Sequence, residues 1–194
     1  MQIVEIWPNE TPEPVAACLQ TILDDGVSLA NKPKLWATYS SMLYVLKNGI
    51  EGDFVEIGCW NGGHMIAAGL AELLLKDDDP YVKRTYHGYD TFDSGFLEVK
   101  RESFDVPTTT RDALFGKVHD EQWSDVNSVM LPTTANEART LSLCQGYCPD
   151  IAFQVHCKDV ERMSADEVNP KKISVLRLDS DFYHSTYDSL KLFY

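Results

Sequence analysis

The sequence predicts an α/β fold with a mostly parallel sheet, and three observations carry that reading. The run Asp53-Phe-Val-Glu-Ile-Gly-Cys-Trp-Asn-Gly-Gly63 passes from an apolar burst through a carboxylate to three glycines. That order reads as strand, tight turn and helix start, the form of a nucleotide-cofactor cradle in α/β proteins. Short apolar strands then alternate with helical patterns, which implies right-handed crossovers between parallel strands. Finally, every predicted strand ends in or near an acid: Glu56, Asp90, Asp159 and Asp179. A single acid in such a place commonly caps a helix, but four of them beside a glycine turn favour a ligand crevice at the carboxyl ends of the strands.

Two helices precede the first strand. Val15, Cys18, Leu19, Ile22 and Leu23 recur at helical spacing over Pro14 to Asp24. Leu35, Tyr39, Met42, Leu43 and Leu46 do the same over Pro33 to Asn48, where Gly49 stops the helix. Together they form an N-terminal helical cap over residues 1–50, ahead of a Rossmann-like domain over residues 51–194. Phe54, Val55 and Ile57 suit a buried parallel strand, while Gly58, Gly62 and Gly63 permit backbone angles and close approaches that a Cβ forbids. Met65 to Leu75 is the next helix, ended by Asp77-Asp-Asp-Pro80, and Arg84 to Asp90 is the second strand. Residues 93–132 show no periodicity, and so long a loop in a compact domain reads as a mobile lid or acceptor-binding region. A helix from about Thr134 to Tyr147, a strand over Ala152 to Cys157, a helical turn near Ser164 to Val168 and a strongly apolar strand over Ile173 to Leu178 follow. Ser185 to Tyr194 begins a helix that normally feeds another strand, so the C-terminal strands of the domain are expected to be missing from this sequence.

Composition narrows the function. The 194 residues suffice for one well-buried domain, and no Pro/Gly/Ser-rich linker divides them. A formal net charge of -13 opposes phosphate-backbone binding, so nucleic acid is not an expected partner. No apolar run approaches the roughly eighteen residues of a membrane span, and the N-terminus lacks a secretion signal. A soluble, cytoplasmic protein is expected, with a homo-oligomer allowed. Cys18, Cys59, Cys144, Cys148 and Cys157 lie mostly within apolar patterns and read as reduced core thiols. Cys144 and Cys148 can share a helix face, yet no histidine pair follows at ligand spacing.

Two cofactor classes use such a crevice. A dinucleotide wants G-x-G-x-x-G with an acid about twenty residues on. Here the turn is Gly58-x-x-x-Gly62-Gly63 and Asp90 follows much later. S-adenosylmethionine has no pyrophosphate; it needs a turn that admits its amino-acid end and an acid after the second strand for its ribose, which is the better fit. Trp36 and Trp60 read as core or cofactor-flanking surface.

At V-E-I-G-C-W-N-G-G (55–63), Y-D-T-F-D (89–93) and L-R-L-D-S-D-F-Y-H-S-T-Y-D-S-L (176–190), the chain resembles the macrocin O-methyltransferase family. The resemblance spans roughly residues 50–194, and its last motif is the most specific. It implies a Rossmann-like class I fold, S-adenosylmethionine, Mg and methylation of a hydroxyl on a sugar-like or natural-product small molecule. It further implies that Glu56, Gly58 and Gly62 line the cofactor turn, that Asp90 holds the ribose and that Asp159 sits near the adenine. Asp179 becomes the metal ligand beside the reacting hydroxyl, with Asp181 as a second ligand or a helix cap. His184, inside the same motif, is a candidate proton acceptor. The family's further paired-acid motif does not occur in this sequence. Two alternatives remain open: an NAD(P)-dependent oxidoreductase using the same turn, and a non-catalytic cofactor-binding module.

Overall fold

The computed structural model describes residues 6–75, 83–92, 135–180 and 183–194. The expected lid over residues 93–132, the Asp77 to Asp79 run and Asp181 lie outside them. In chain order the elements are α1 (Glu13–Asp24), α2 (Lys32–Lys47), β1 (Asp53–Ile57), α3 (Gly63–Leu75), β2 (Thr85–Asp90), α4 (Glu137–Tyr147), β3 (Ala152–Cys157), a 3-10 turn (Ala165–Glu167), β4 (Ile173–Leu178) and α5 (Tyr183–Phe193). Each predicted element is present. Helix starts differ most, because side-chain caps fix them: Asn31 accepts the Lys34 N–H at 3.0 Å and Asn136 the Arg139 N–H at 3.0 Å, so α4 opens at Glu137 rather than Thr134.

The sheet is wholly parallel, in the order β3-β2-β1-β4. Phe54 of β1 lies opposite Tyr86 of β2 and Val175 of β4. Apolar side chains on one face of β1, β2 and β3 meet α1, α2, α3 and α4. The Phe54, Tyr86 and Phe153 rings run across that face at 5.7 and 5.6 Å, over a core that includes Leu19, Ile22, Leu35, Met42 and Ile66. The two N-terminal helices therefore share one core with the sheet. On the opposite face Val55, Ile57 and Tyr89 meet Val160 and Phe193 of α5, with the Tyr89 and Phe193 rings edge-on at 5.1 Å.

β4 keeps its expected bounds and is an outer strand among the described residues, each of its residues only half-buried. One expectation needs correction. Of the five cysteines, Cys59, Cys144 and Cys148 are buried thiols, but Cys18 and Cys157 are exposed. Cys18 lies on the outward side of α1, and Cys157 ends the outermost strand on the other edge. No helix among the described residues is long and apolar enough to cross a membrane.

Candidate functional site

The site begins where β1 runs out. The Gly58 N–H donates to Tyr89 O at 2.8 Å, and the Asp179 N–H donates to Ile57 O at 2.9 Å, so the turn is pinned between the ends of β2 and β4. Gly58 adopts φ +82°, and a Cβ there would stand 2.3 Å from Asp179 O. Glycine is thus required twice over, by backbone angle and by space. Trp60 also takes a positive φ, 44°, an uncommon conformation for a bulky residue. Its backbone is held on both sides: the N–H donates to Asp90 Oδ2 at 2.7 Å, and its carbonyl accepts from Thr140 Oγ1 at 2.6 Å.

Asp90 therefore does structural work in this turn. Its other oxygen accepts the Phe92 N–H at 2.7 Å, so one carboxylate joins the β1 turn to the end of β2.

Glu56, one residue inside β1, is 1% exposed. Its Oε1 accepts from Arg177 Nη1 at 2.7 Å. Arg177 Nη2 donates to Asp179 Oδ2 at 2.8 Å and to His64 Nε2 at 2.9 Å. A guanidinium has no acceptor, so Nε2 of His64 must accept and the proton sits on Nδ1, which donates to Thr38 Oγ1 at 2.8 Å. Thr38 in turn donates to Lys34 O at 3.2 Å. Burial, then Arg177, lowers His64 to about 3, consistent with a neutral ring. Burial raises the Glu56 carboxyl to about 8, with Arg177 pulling it down and Asp179 and Asp90 pushing it up.

Three polar atoms at the turn are buried with no hydrogen-bond partner among the described residues: Glu56 Oε2, Asn61 Oδ1 and Trp60 Nε1. An unpaired buried polar atom costs about 1–3 kcal/mol. Once Glu56 gives up its proton, its Oε2 and Asn61 Oδ1 are two acceptors beside one donor at a single glycine turn, which matches a ligand bearing both an ammonium and an acceptor group. Beside Asp90, the ends of β2, β3 and α4 leave an open cleft lined by Phe92, Ala135, Asn136, Glu137, Leu141 and Cys157.

Glu56, Gly58, Gly62, Asp90 and Asp179 thus lie around one turn and its hydrogen-bonded neighbours. Asp159 stands past the end of β3 and is engaged locally, accepting the Glu161 N–H at 3.0 Å and pairing with Arg162 at 3.3 Å. His184 lies in the first turn of α5, its ring edge-on to Tyr183 at 5.5 Å. No group of three or more His, Cys, Asp or Glu among the described residues is placed to hold a metal ion. Arg177, His64 and Asn61 escaped the sequence reading. One signal was available: Arg177 is a lone charge inside an apolar strand, a position that demands a buried partner.

A parallel sheet in this order, with the glycine turn after β1 and an acid at the end of β2, is a Rossmann-like fold. Among solved structures the chain is similar to the O-methyltransferase NovP, at 22% identity and TM-score 0.58, over 84% of this chain and 60% of NovP. The chain thus spans less than two thirds of NovP. It also matches CalS11, a calicheamicin methyltransferase, at 18% identity and TM-score 0.49, over 99% of this chain and 77% of CalS11. The apo structure of CalS11, a TDP-rhamnose 3'-O-methyltransferase, matches at 18% identity and TM-score 0.42, over 98% and 76%. No protein-family model matches the chain, and no curated protein matches it.

Proposed function

We propose that this chain binds S-adenosylmethionine at the β1–α3 turn and serves methyl transfer to a hydroxyl of a sugar-like or natural-product small molecule. The observation that carries the reading is the set of unpaired buried atoms Glu56 Oε2, Asn61 Oδ1 and Trp60 Nε1 around a turn that a Cβ would obstruct. These residues fit the cofactor's amino-acid end: the two oxygens suit its ammonium and the indole N–H its carboxylate. Asp90 suits the ribose hydroxyls, and the Phe92–Leu141 cleft beside it suits the adenine ring, near which the motif resemblance sets Asp159. The likeness to NovP supports a Rossmann-like methyltransferase fold, and the O-methyl class comes from the motif resemblance.

When bound, the cofactor supplies a methyl on a cationic sulfur, which leaves as a neutral thioether. The chain's own contribution is alignment, exclusion of water and a proton acceptor. Asp179, whose side chain is 45% exposed at the strand end, is the proposed acceptor for the hydroxyl proton, and His184 the second candidate. Mg, which the motif resemblance implies, meets one described carboxylate here, and Asp179 Oδ2 is already paired with Arg177. The described donor set does not make a Mg site.

Calorimetric titration separates the readings. S-adenosylhomocysteine should bind the chain and NAD(P) should not, and Asp90→Ala should weaken that binding by about 1–3 kcal/mol. Binding of NAD(P) alone would replace the methyltransferase reading with the oxidoreductase one, and unchanged affinity in Asp90→Ala would remove Asp90 from the ribose.

A further inference from the structure

We propose that Arg177 is a positioning residue that aims Glu56 into the cofactor turn and ties it to the strand-end carboxylate Asp179. The inference rests on the cofactor reading above and adds a residue that the turn motif does not contain.

The geometry is specific. Arg177 sits on β4 directly across from Glu56 on β1, and its two terminal nitrogens have separate tasks. Nη1 holds Glu56 Oε1 at 2.7 Å, while Nη2 is shared between Asp179 Oδ2 at 2.8 Å and His64 Nε2 at 2.9 Å. The guanidinium plane is therefore fixed by acceptors from β1, α3 and β4 at once. Because Oε1 is fixed, Oε2 of the same carboxyl is left as the buried oxygen with no partner among the described residues. His64 can accept only because its other nitrogen donates to Thr38, so α2 also takes part in setting the plane.

Lysine cannot reproduce this arrangement. Its single ammonium can neutralise Glu56, but it lacks the planar fork that also reaches Asp179 and His64. The groups that bear on Glu56 are Arg177 and Asp179 from β4, Asp90 from β2, and Cys59 and Cys144 as neutral thiols from the turn and α4. Arg177 is the cation among them, so its removal leaves Glu56 facing only like charges and neutral groups.

The test is calorimetric titration of the full chain with S-adenosylhomocysteine, comparing wild type, R177K, R177M, E56Q and R177M/E56Q. R177M should weaken binding by at least about tenfold, the scale of losing a hydrogen bond from a charged donor. R177K should recover part of that loss, and the double variant should bind no more weakly than E56Q, because Arg177 acts through Glu56. Wild-type affinity in R177M, or losses that multiply in the double variant, would overturn the role. Should R177M not fold, R177K and E56Q decide in the same way: R177K must lose affinity, and R177K/E56Q must lose no more than E56Q. If the wild-type chain does not bind S-adenosylhomocysteine, the cofactor reading fails, and carboxyl carbon-13 NMR still reads Arg177. The Glu56 titration midpoint must then rise in R177K or R177M; an unmoved midpoint overturns the proposal.

Discussion

Glu56 and His64 share Arg177 as a neighbour, yet their ionisations pull the stability of the fold in opposite directions. Burial lifts the Glu56 carboxyl from 4.5 to about 8. The stabilisation from its bound proton is complete below 4.5 and is lost as pH rises through about 8. Burial and Arg177 depress His64 from 6.5 to about 3, so its contribution is present above 6.5 and is lost as pH falls toward 3. Each slope is at most about 1.4 kcal/mol per pH unit, so the two oppose between the unfolded values and Glu56 acts alone above that of histidine. Urea unfolding at a series of pH values should show His64→Gln losing stability from about pH 4.5 upward, where wild type stays level until about pH 6.5. Glu56→Gln should instead gain stability up to that point and then stay flat, and curves parallel to wild type would contradict both assignments. Gly58→Ala should cost at least about 2 kcal/mol in the same assay, since a left-handed backbone and a clash with Asp179 O coincide there. Gly58 and Asp90 were legible in the sequence because turn chemistry and strand ends are local patterns. Arg177 and His64 were not, because their roles exist only after β4 and α3 are brought together across the sheet.

At the level of single elements, the sequence specified the type of every helix and strand but located the helix starts less well. Periodicity reports the buried stripe, whereas a helix start is set by whichever side chain satisfies the first free amides. Asn31 does this for α2 and Asn136 for α4, and neither belongs to an apolar repeat. Asn31→Ala should lower stability by about 1 kcal/mol, read from the urea midpoint, while Asn31→Ser should lower it by much less. Because α2 carries Thr38, which accepts from His64, Thr38→Val should disturb the site as well as the helix. Its expected signature is a His64 tautomer shift in nitrogen-15 NMR, and an unchanged ring spectrum would detach α2 from the site. β4 was legible as a strand, but its place in the sheet was not. An apolar run cannot reveal how many neighbours a strand has, and here β4 is covered on one edge only among the described residues.

Across the whole molecule, the turn, the two strand-end acids and the half-buried Arg177 are assembled from segments far apart in sequence but adjacent in the sheet. S-adenosylhomocysteine should raise the melting temperature of the whole chain, because β1, β2 and β4 all contribute to the proposed pocket and unfold together. The strand order also separates the pieces in time. β1 finds β2 soon after it is made, since Phe54 meets Tyr86, but its other edge waits for Val175, much later in the chain. Closing that long loop is slow, so β4 should dock after the rate-limiting barrier. Val175→Ala should then speed unfolding and leave the refolding rate almost untouched, whereas Ile66→Val in α3 should slow refolding. Until β4 arrives, Glu56 has no cation beside it, and the newly made half-sheet must keep that carboxyl wet or protonated. β4 docking thus also delivers the cation that faces Glu56, so a chain should recognise its ligand only once β4 has joined β1.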